Sequence, residues 1–321
     1  MKKELDRYFN ILKRPSLKNE WRYIVNRSVY SKYPKFMWQY ILHRRGKSKA
    51  QLDSFFDGFS DLAKRKEAGE TVRLFLYNEE ERKSDPSKRD VVLYVNIRHK
   101  GAPVALLVPG GAYRFVSVMN EGFPVAAAAS ARGYNSAVLV YRVAEYANSL
   151  RPVEDLKRAL SVLCDCSDEL GVDRNNIFLF GSSAAGHLCG YYCAAQSLPA
   201  DRPIPRALVL SYPVVTFSQD THKESRSYFL GRSATSEDIA SYSVERLITS
   251  SFPPTYVWHC EKDESVPISN SELLADALKK SGVSFVFRRF ANGAHGLGGA
   301  AGMPESVWLD EAFDFCDRHK V

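Results

Sequence analysis

Six short apolar segments, spaced along the chain from residue 103 onward, constrain the fold more than any other feature. They are PVALLVP (103–109), SAVLVYR (136–142), IFLFG (177–181), ALVLSYP (207–213), TYVWHC (255–260) and VSFVFRRF (283–290). The first two are continuously apolar, which is typical of strands buried on both faces. Helical patterns alternate with these segments, at about residues 121–132, 152–170, 184–197, 270–281 and 304–319. This alternation predicts an α/β fold, in which a mostly parallel central sheet has helices on both faces.

Three other segments stand outside this alternation. Residues 1–70 are aromatic-rich and helical in pattern, notably over 33–45 and 52–66, and predict a helical N-terminal extension before a main domain at 71–321. Residues 71–77 and 91–97 indicate a pair of strands joined by a charged, exposed hairpin loop. Residues 214–253 are polar and rich in Ser and Thr, and predict a small insertion near the functional edge of the sheet.

The basic character of the chain lies in its first part. Residues 1–50 hold 14 Lys and Arg against 3 Asp and Glu, whereas the whole chain carries a net charge of +7. This segment either attracts anionic partners through its electric field or forms a solvated helical surface. We expect no nucleic-acid partner, and a homo-oligomer is compatible with the sequence.

Neither a membrane anchor nor a metal site is indicated. No apolar run reaches the length of a transmembrane helix, and MKKELDRYFN lacks the apolar core of a signal peptide, so we expect a cytoplasmic protein. The six cysteines do not resemble a disulfide framework or a zinc site, because no His or second Cys pair stands at ligand spacing. We expect all six to be reduced and buried.

The segment IFLFGSSAAGHL carries the strongest local signal for chemistry. A strand leads through Gly181 into Ser183, and a helical pattern follows at once. Such a strand-to-helix turn presents a serine as a nucleophile, and its neighbours must be small so that backbone and helix can approach. Gly181 lies two positions before Ser183, and Ala185 stands two positions after it, where a glycine is usual. Ser182 remains a competing serine.

A glycine-rich loop follows the first apolar strand, in LLVPGGAYRFVS. Such a loop can present backbone N–H groups opposite the turn at Ser183. We expect Gly111 or Ala112, together with Ala184 at the helix start, to form an oxyanion hole.

A carboxylate and a histidine follow two later strands. Asp263 comes after TYVWHC, and His295 comes after VSFVFRRF. The carboxyl ends of parallel strands meet at one edge of a sheet, so Ser183, Asp263 and His295 should lie close together. A serine hydroxyl needs an imidazole to take its proton, and a carboxylate to orient that imidazole. Two carboxylates, Glu261 and Glu264, compete with Asp263 for the role of the acid. Two histidines, His187 and His259, compete with His295 for the role of the base, and we interpret both histidines as structural.

The order of these motifs resembles the acetyl-esterase/lipase branch of the α/β hydrolases, which includes BD-FAE-like esterases that remove acetyl or feruloyl groups from xylan and other sugars. The matching strings cover roughly residues 103–300: PGGAYRFVS, NEGFPVA, YRV…RPVEDLKRAL, GVDRNNIFLFGSSAAGHL, KDESVPISNSELLADAL and GAHGLGG. The resemblance implies an α/β-hydrolase fold and a carboxylic-ester hydrolase that needs no cofactor. It further implies that Ser183 is the nucleophile, Asp263 the acid and His295 the base.

The resemblance also extends to the surroundings of the site. Gly111, Ala112 and Ala184 match the family's oxyanion donors, and Tyr113 and Glu121 match positions near the mouth of the site, where they would bind substrate. Two alanines, Ala112 and Ala185, depart from the family pattern by replacing glycines. Residues 1–70 do not match the family core, and are compatible with capping the site, with dimerisation or with packing on the sheet.

The favoured substrate by resemblance is an acetyl or other small acyl ester, of a small molecule or an oligosaccharide. The same three residues could instead serve a peptidase, an amidase or a lactonase. A catalytically inactive hydrolase fold that acts as a binding protein is a further alternative.

Overall fold

A single mixed sheet organises the chain, in a computed structural model that describes residues 10–11, 13–24, 49–148, 150–218 and 220–321. Its order is β1-β2-β4-β3-β5-β6-β7-β8. The strands are β1 (Thr71–Phe75), β2 (Val92–Asn96), β3 (Ala102–Val108), β4 (Asn135–Val140), β5 (Val172–Ser182), β6 (Ala207–Ser211), β7 (Thr255–Cys260) and β8 (Phe285–Phe290). The pairs β1–β2 and β2–β4 are antiparallel, and every other pair is parallel. The predicted α/β class with a mostly parallel sheet is therefore confirmed.

Helices follow most strands and cover both faces of the sheet. Within the described residues they are α1 (Trp21–Ile24), α2 (Lys49–Glu67), α3 (Glu79–Ser84), α4 (Phe123–Ala131), α5 (Arg151–Asp165), α6 (Ser167–Leu170), α7 (Ala184–Ala194), α8 (Lys223–Leu230), α9 (Ser236–Ser241), α10 (Ser269–Lys280) and α11 (Val307–Arg318). The helical pattern predicted over 33–45 lies outside the described residues.

The central strands form the core of the molecule. All residues of β2, β4, β6 and β7 are buried. In the middle of the sheet, Leu106 on β3 lies opposite Ala137 on β4 and Leu179 on β5. Continuous burial explains why these strands are apolar at every position instead of alternating.

The connection between β1 and β2 contains a short helix, α3, where the sequence indicated only a charged hairpin loop. Asn78 and Glu81 form a capping box at its start, in which each side chain accepts a hydrogen bond from the other residue's N–H. The Glu81 side chain also contacts Arg158 on α5. These local bonds make the polar segment helical although it has no apolar face to bury.

The first part of the chain packs against the main domain through α2. Phe56 and Phe59 are fully buried, and the Phe59 ring lies 5.8 Å from that of Phe123 on α4. Close helix contact is possible because α2 has a glycine at the crossing: a Cβ on Gly58 would lie 2.8 Å from Pro124 N. The helical character predicted for residues 52–66 is confirmed, and this helix shares the hydrophobic core of the sheet.

The polar segment 214–253 contains α8 and α9, and it packs against the helix that follows β5 through α8 and through Tyr242, which follows α9. The ring of Phe217 stacks on His187 of α7 at 4.0 Å, and Phe229 of α8 lies 5.0 Å from the same ring. All six cysteines are free, as predicted, although Cys164 and Cys166 are only partly buried. In the described part of the chain, no helix is long and apolar enough to cross a membrane.

Candidate active site

The turn between β5 and α7 holds Ser183 in a strained conformation. Its φ of 53° and ψ of −122° are unusual for a residue with a side chain, and such strain is common where a nucleophile is presented. The Ser183 N–H donates to Ser211 O at 2.9 Å, which joins the turn to the end of β6.

Two glycines allow this turn to form, one on each side of the serine. A Cβ on Gly181 would lie 2.7 Å from Ala185 O, and one on Gly186 would lie 2.4 Å from the Pro213 side chain. The close approach of helix and loop therefore requires glycine at position 186. Ala185, where the family has glycine, is accommodated in full burial.

The structure brings Ser183, His295 and Asp263 into one hydrogen-bonded row. Ser183 Oγ lies 2.7 Å from His295 Nε2, and His295 Nδ1 lies 2.6 Å from Asp263 Oδ2. A carboxylate can only accept, so in the neutral ring Nδ1 carries the proton and Nε2 is free to accept from the serine hydroxyl. Each of the three residues follows a different parallel strand, which is why residues far apart in the chain meet here.

The carboxylate of Asp263 is fixed by four groups. Oδ1 accepts from the N–H groups of Ser265 and Val266, both at 2.9 Å. Oδ2 contacts His295 and also His259 Nε2, which lies 3.2 Å away. Burial by itself raises the pKa of Asp263, but the hydrogen bonds from His259 and His295 outweigh it and hold the pKa well below its usual value. The carboxylate is therefore ionised and oriented toward His295.

The competing residues lie in other surroundings. Glu261 is exposed and pairs with Arg289 at 3.3 Å, and Glu264 is exposed too. His187 is buried 4.0 Å from the Phe217 ring. His259 contacts the same Asp263 oxygen as His295 does, so the structural role that we interpreted for it includes support of that carboxylate.

The loop after β3 presents backbone N–H groups beside the serine turn. Within the described residues, the N–H groups of Gly111, Ala112 and Ala184 donate to no protein acceptor. Gly111 has a φ of 127°, and a Cβ there would lie 2.1 Å from Phe115 O, so only glycine fits. Ala112 has a φ of 59°, a left-handed conformation that alanine adopts at some cost. These three N–H groups are therefore available to another acceptor.

Tyr113 and Glu121, which the resemblance suggested as substrate contacts, lie in the interior. Tyr113 is fully buried, and its hydroxyl lies 2.9 Å from His187 Nδ1. Glu121 is 5% exposed, and it accepts from Gly110 N at 2.7 Å and from the Tyr212 hydroxyl at 2.8 Å. Their burial favours a supporting role over direct contact with substrate.

One histidine near the site was missed by the sequence analysis. His222 precedes α8, and its Nδ1 accepts from Ser225 N at 3.3 Å. Burial, followed by the nearby His295, lowers the pKa of His222. An ion pair of 3.3 Å between Arg114 and Glu224 joins the start of α8 to the Gly111 loop. The sequence signal that could have found His222 is its position at the start of a helix within the segment 214–253, where a side chain can cap the helix.

The sheet order and a strained serine after β5 are the features of an α/β hydrolase, and comparisons with known proteins agree. The model of the BD-FAE family matches residues 90–199. The crystal structure of an acetyl ester-xyloside bifunctional hydrolase from Caldicellulosiruptor lactoaceticus superimposes with a TM-score of 0.67 at 30% identity, over 77% of this chain and 96% of that one.

Curated sequences of esterases and of a xylanase are also similar. Endo-1,4-beta-xylanase B of Butyrivibrio fibrisolvens is 31% identical over 60% of this chain and 32% of its own length. The acetylxylan esterase of Xylanibacter ruminicola is 25% identical over 76% of this chain and 50% of its own length. The chain thus spans no more than half the length of these curated relatives. It belongs to the acetyl-esterase/lipase branch of the α/β-hydrolase superfamily, the branch that includes the BD-FAE family.

Proposed function

We propose that this chain is a serine carboxylic-ester hydrolase in which Ser183 is the nucleophile, His295 the base and Asp263 the acid. One observation carries the proposal: the continuous row of hydrogen bonds from Ser183 Oγ through His295 to Asp263, at 2.7 and 2.6 Å. A buried, ionised aspartate stabilises the imidazolium that forms when His295 takes the serine proton. Esterase relatives with the same fold support this assignment.

The proposed reaction has two halves. Ser183 Oγ bonds to the acyl carbon while its proton passes to His295 Nε2, and the carbonyl oxygen becomes an oxyanion that accepts from the N–H groups of Gly111, Ala112 and Ala184. His295 then protonates the leaving alcohol as the carbon–oxygen bond breaks, which leaves Ser183 acylated. Water attacks the acyl-enzyme by the same route and releases the acid and the free serine. None of these steps requires a cofactor.

The favoured substrate is a small acyl ester, foremost an acetyl ester of a carbohydrate. Two relatives support this choice, an acetylxylan esterase and an acetyl ester-xyloside hydrolase. A panel of acetylated oligosaccharides, beside aryl esters of rising acyl length, tests it directly. A preference for long acyl chains would contradict it.

The test of the nucleophile uses 4-nitrophenyl acetate and two neighbouring serines. Ser183→Ala should lower kcat by about a thousandfold or more, because the nucleophile is lost. Ser182→Ala removes the competing serine for comparison, and its loss should be at most about tenfold, because the Ser182 side chain bonds to Tyr212 and not to His295. Absence of activity in the wild-type protein, or an unchanged rate in Ser183→Ala, would refute the proposal.

Two rival functions are separated by simple assays. Aminoacyl amides and lactones, measured beside short esters, would reveal a peptidase, an amidase or a lactonase. A fluorophosphonate probe should label Ser183, whereas a catalytically inactive binding protein would not react. The cytoplasmic location and a homo-oligomeric state stay predictions.

A further inference from the structure

A short helical segment lies between the two loops that flank Ser183. This segment, Val118–Gly122, contains the buried Glu121. The Gly111 loop lies on one side of it, and the His295 loop lies on the other. Its side chains bond to both loops, to the Gly111 loop through Glu121 and to the His295 loop through Asn120.

On the first side, Glu121 holds the loop that carries the oxyanion donors. Gly110 N donates to Glu121 Oε2 at 2.7 Å. A Cβ on Gly110 would lie 2.8 Å from Ser183 Cβ, so this backbone directly contacts the nucleophile turn. The bond from Gly110 leaves the next N–H groups, of Gly111 and Ala112, available for an oxyanion. A carboxylate that accepts from a backbone N–H forms one of the stronger hydrogen bonds in proteins.

On the second side, Tyr212 continues the connection to the His295 loop. Its hydroxyl donates to Glu121 Oε1 at 2.8 Å and accepts from Gly298 N at 3.0 Å. Its ring lies edge-on to the His295 ring, with 4.9 Å between centroids. Burial, assisted by the charge of Glu121, raises the pKa of Tyr212, so the hydroxyl keeps its proton and remains a donor. Asn120 adds a parallel bond from its Nδ2 to Gly296 O at 2.7 Å.

We propose that Glu121 and Tyr212 are positioning residues, whose chain of hydrogen bonds from Gly110 to Gly298 sets the spacing between the oxyanion donors and His295. The proposal rests on the function proposed above, since it assigns Glu121 a role in the ester hydrolysis by Ser183. The Glu121 carboxylate and the Tyr212 hydroxyl bond to the loops and not to the reacting groups, although the Tyr212 ring packs against His295. Both act through the loops that they hold, and their effect should therefore appear in the transition state and not in substrate binding.

Tyr212→Phe tests the proposal, because it removes only the hydroxyl and keeps the ring against His295. We expect kcat for 4-nitrophenyl acetate to fall about tenfold with little change in KM, as when one hydrogen bond in an active-site network is lost. An aryl trifluoromethyl ketone, which adds to a serine as a tetrahedral oxyanion, should bind more weakly by the same factor. A residue with a merely structural role would not change the affinity of this analogue in parallel with kcat.

Tyr256→Phe is the matched control. Tyr256 is as buried as Tyr212 and donates to a carboxylate, Glu311 Oε2, at 2.8 Å, but it lies on β7 and bonds to α11, away from the site. We expect a similar loss of stability in the two variants and unchanged kinetics in Tyr256→Phe. Equal kinetics in Tyr212→Phe and Tyr256→Phe would overturn the proposal.

A second variant, Glu121→Gln, keeps the proposal testable if Tyr212→Phe fails to fold. Glu121→Gln keeps the shape of the side chain, but it cannot accept from Gly110 and Tyr212 with both of its terminal atoms. Both residues belong to one chain of bonds. The double variant Glu121→Gln/Tyr212→Phe should therefore lose no more activity than the more impaired of the two single variants, and additive losses would contradict the proposal. If the wild-type protein hydrolyses the ester through Ser183 and these variants do not differ from it, only the positioning roles fail. If Ser183 is not required, the proposed function itself fails.

Discussion

His187 shows how a single buried residue links three parts of the molecule. Its Nδ1 contacts the Tyr113 hydroxyl at 2.9 Å, and its Nε2 donates to Tyr242 O at 2.8 Å. The helix α7, the Gly111 loop and the segment after α9 therefore meet at this ring. Burial lowers the pKa of His187 to about 4, although the hydrogen bond to Tyr242 opposes the shift. The folded protein therefore stabilises the neutral form of the His187 ring.

This lowered pKa makes stability depend on pH in a defined window. The unfolded histidine has a pKa of about 6.5, so between that value and about 4 the unfolded chain binds more protons than the folded one. The contribution of His187 is complete above pH 6.5 and is lost as the pH falls toward 4. We expect about 2 kcal/mol of stability to be lost between pH 7 and pH 5 through this residue. Urea unfolding at pH 7 and pH 5 should show a smaller difference in the free energy of unfolding for His187→Gln than for the wild-type protein. Equal differences in the two proteins would contradict the lowered pKa of His187.

The left-handed conformation of Ala112 predicts the effect of restoring the family's glycine. With a φ of 59°, the alanine Cβ is strained, and glycine relieves this strain. Ala112→Gly should raise the free energy of unfolding by about 0.5–1 kcal/mol and leave the esterase activity within about twofold. Ala128→Gly, inside the helix α4, is the opposite control and should lower stability by about 1 kcal/mol. Loss of stability in both variants would show that residue 112 is unstrained.

At the scale of elements, one buried ion pair joins two strands to a helix. Arg142, which follows β4, contacts Asp155 of α5 at 2.7 Å, and both are almost fully buried. The Tyr77 hydroxyl, after β1, donates to the same carboxylate at 2.6 Å. Asp155→Asn should lower the free energy of unfolding by about 3–5 kcal/mol, because it leaves a buried guanidinium without its buried charge partner and with only the half-exposed Glu154.

A neighbouring carboxylate supplies the comparison for this pair. Glu154 contacts the same arginine at 2.6 Å, but 45% of its side chain is exposed. Glu154→Gln should therefore cost less than about 1 kcal/mol in the same denaturant titration. Equal losses for Asp155→Asn and Glu154→Gln would mean that burial does not decide the strength of this network.

The elements that the sequence predicted well are those in which local pattern and burial agree. Continuous apolar runs identified the central strands, and the strand ends identified Ser183, Asp263 and His295 as neighbours. The helix α3 was missed because a capping box, not an apolar face, holds it. The bonds of Glu121 and Tyr212 depend on loops that are distant in sequence, so no local pattern could reveal them.

At the scale of the whole molecule, an acidic residue in the first part of the chain holds several elements together. Glu20 contacts Lys66 on α2 at 2.6 Å and Arg73 on β1 at 2.7 Å, and it accepts from the Tyr94 hydroxyl on β2 at 2.8 Å. Burial by itself raises the pKa of Glu20, but these interactions together outweigh it and lower the pKa. The described residues before β1 are thus tied to the sheet by charge as well as by apolar contact.

Because α2 is packed tightly against the rest of the molecule, we expect a glycine-to-alanine substitution on this helix to destabilise the protein instead of stabilising it. Glycine to alanine inside a helix normally stabilises it by about 1 kcal/mol. On α2, however, a Cβ on Gly58 would lie 2.8 Å from Pro124 N and 2.9 Å from Phe123 C, both backbone atoms that cannot move aside. Gly58→Ala should therefore lower the free energy of unfolding by about 1–3 kcal/mol. Ser60→Ala, on the same helix, should leave it unchanged or raise it by about 0.5 kcal/mol.

Urea unfolding followed by circular dichroism and by esterase activity should give coincident transitions in each variant if the helix and the sheet unfold as one unit. A gain of stability in Gly58→Ala, or a separate early transition, would show instead that α2 is detachable from the hydrolase core.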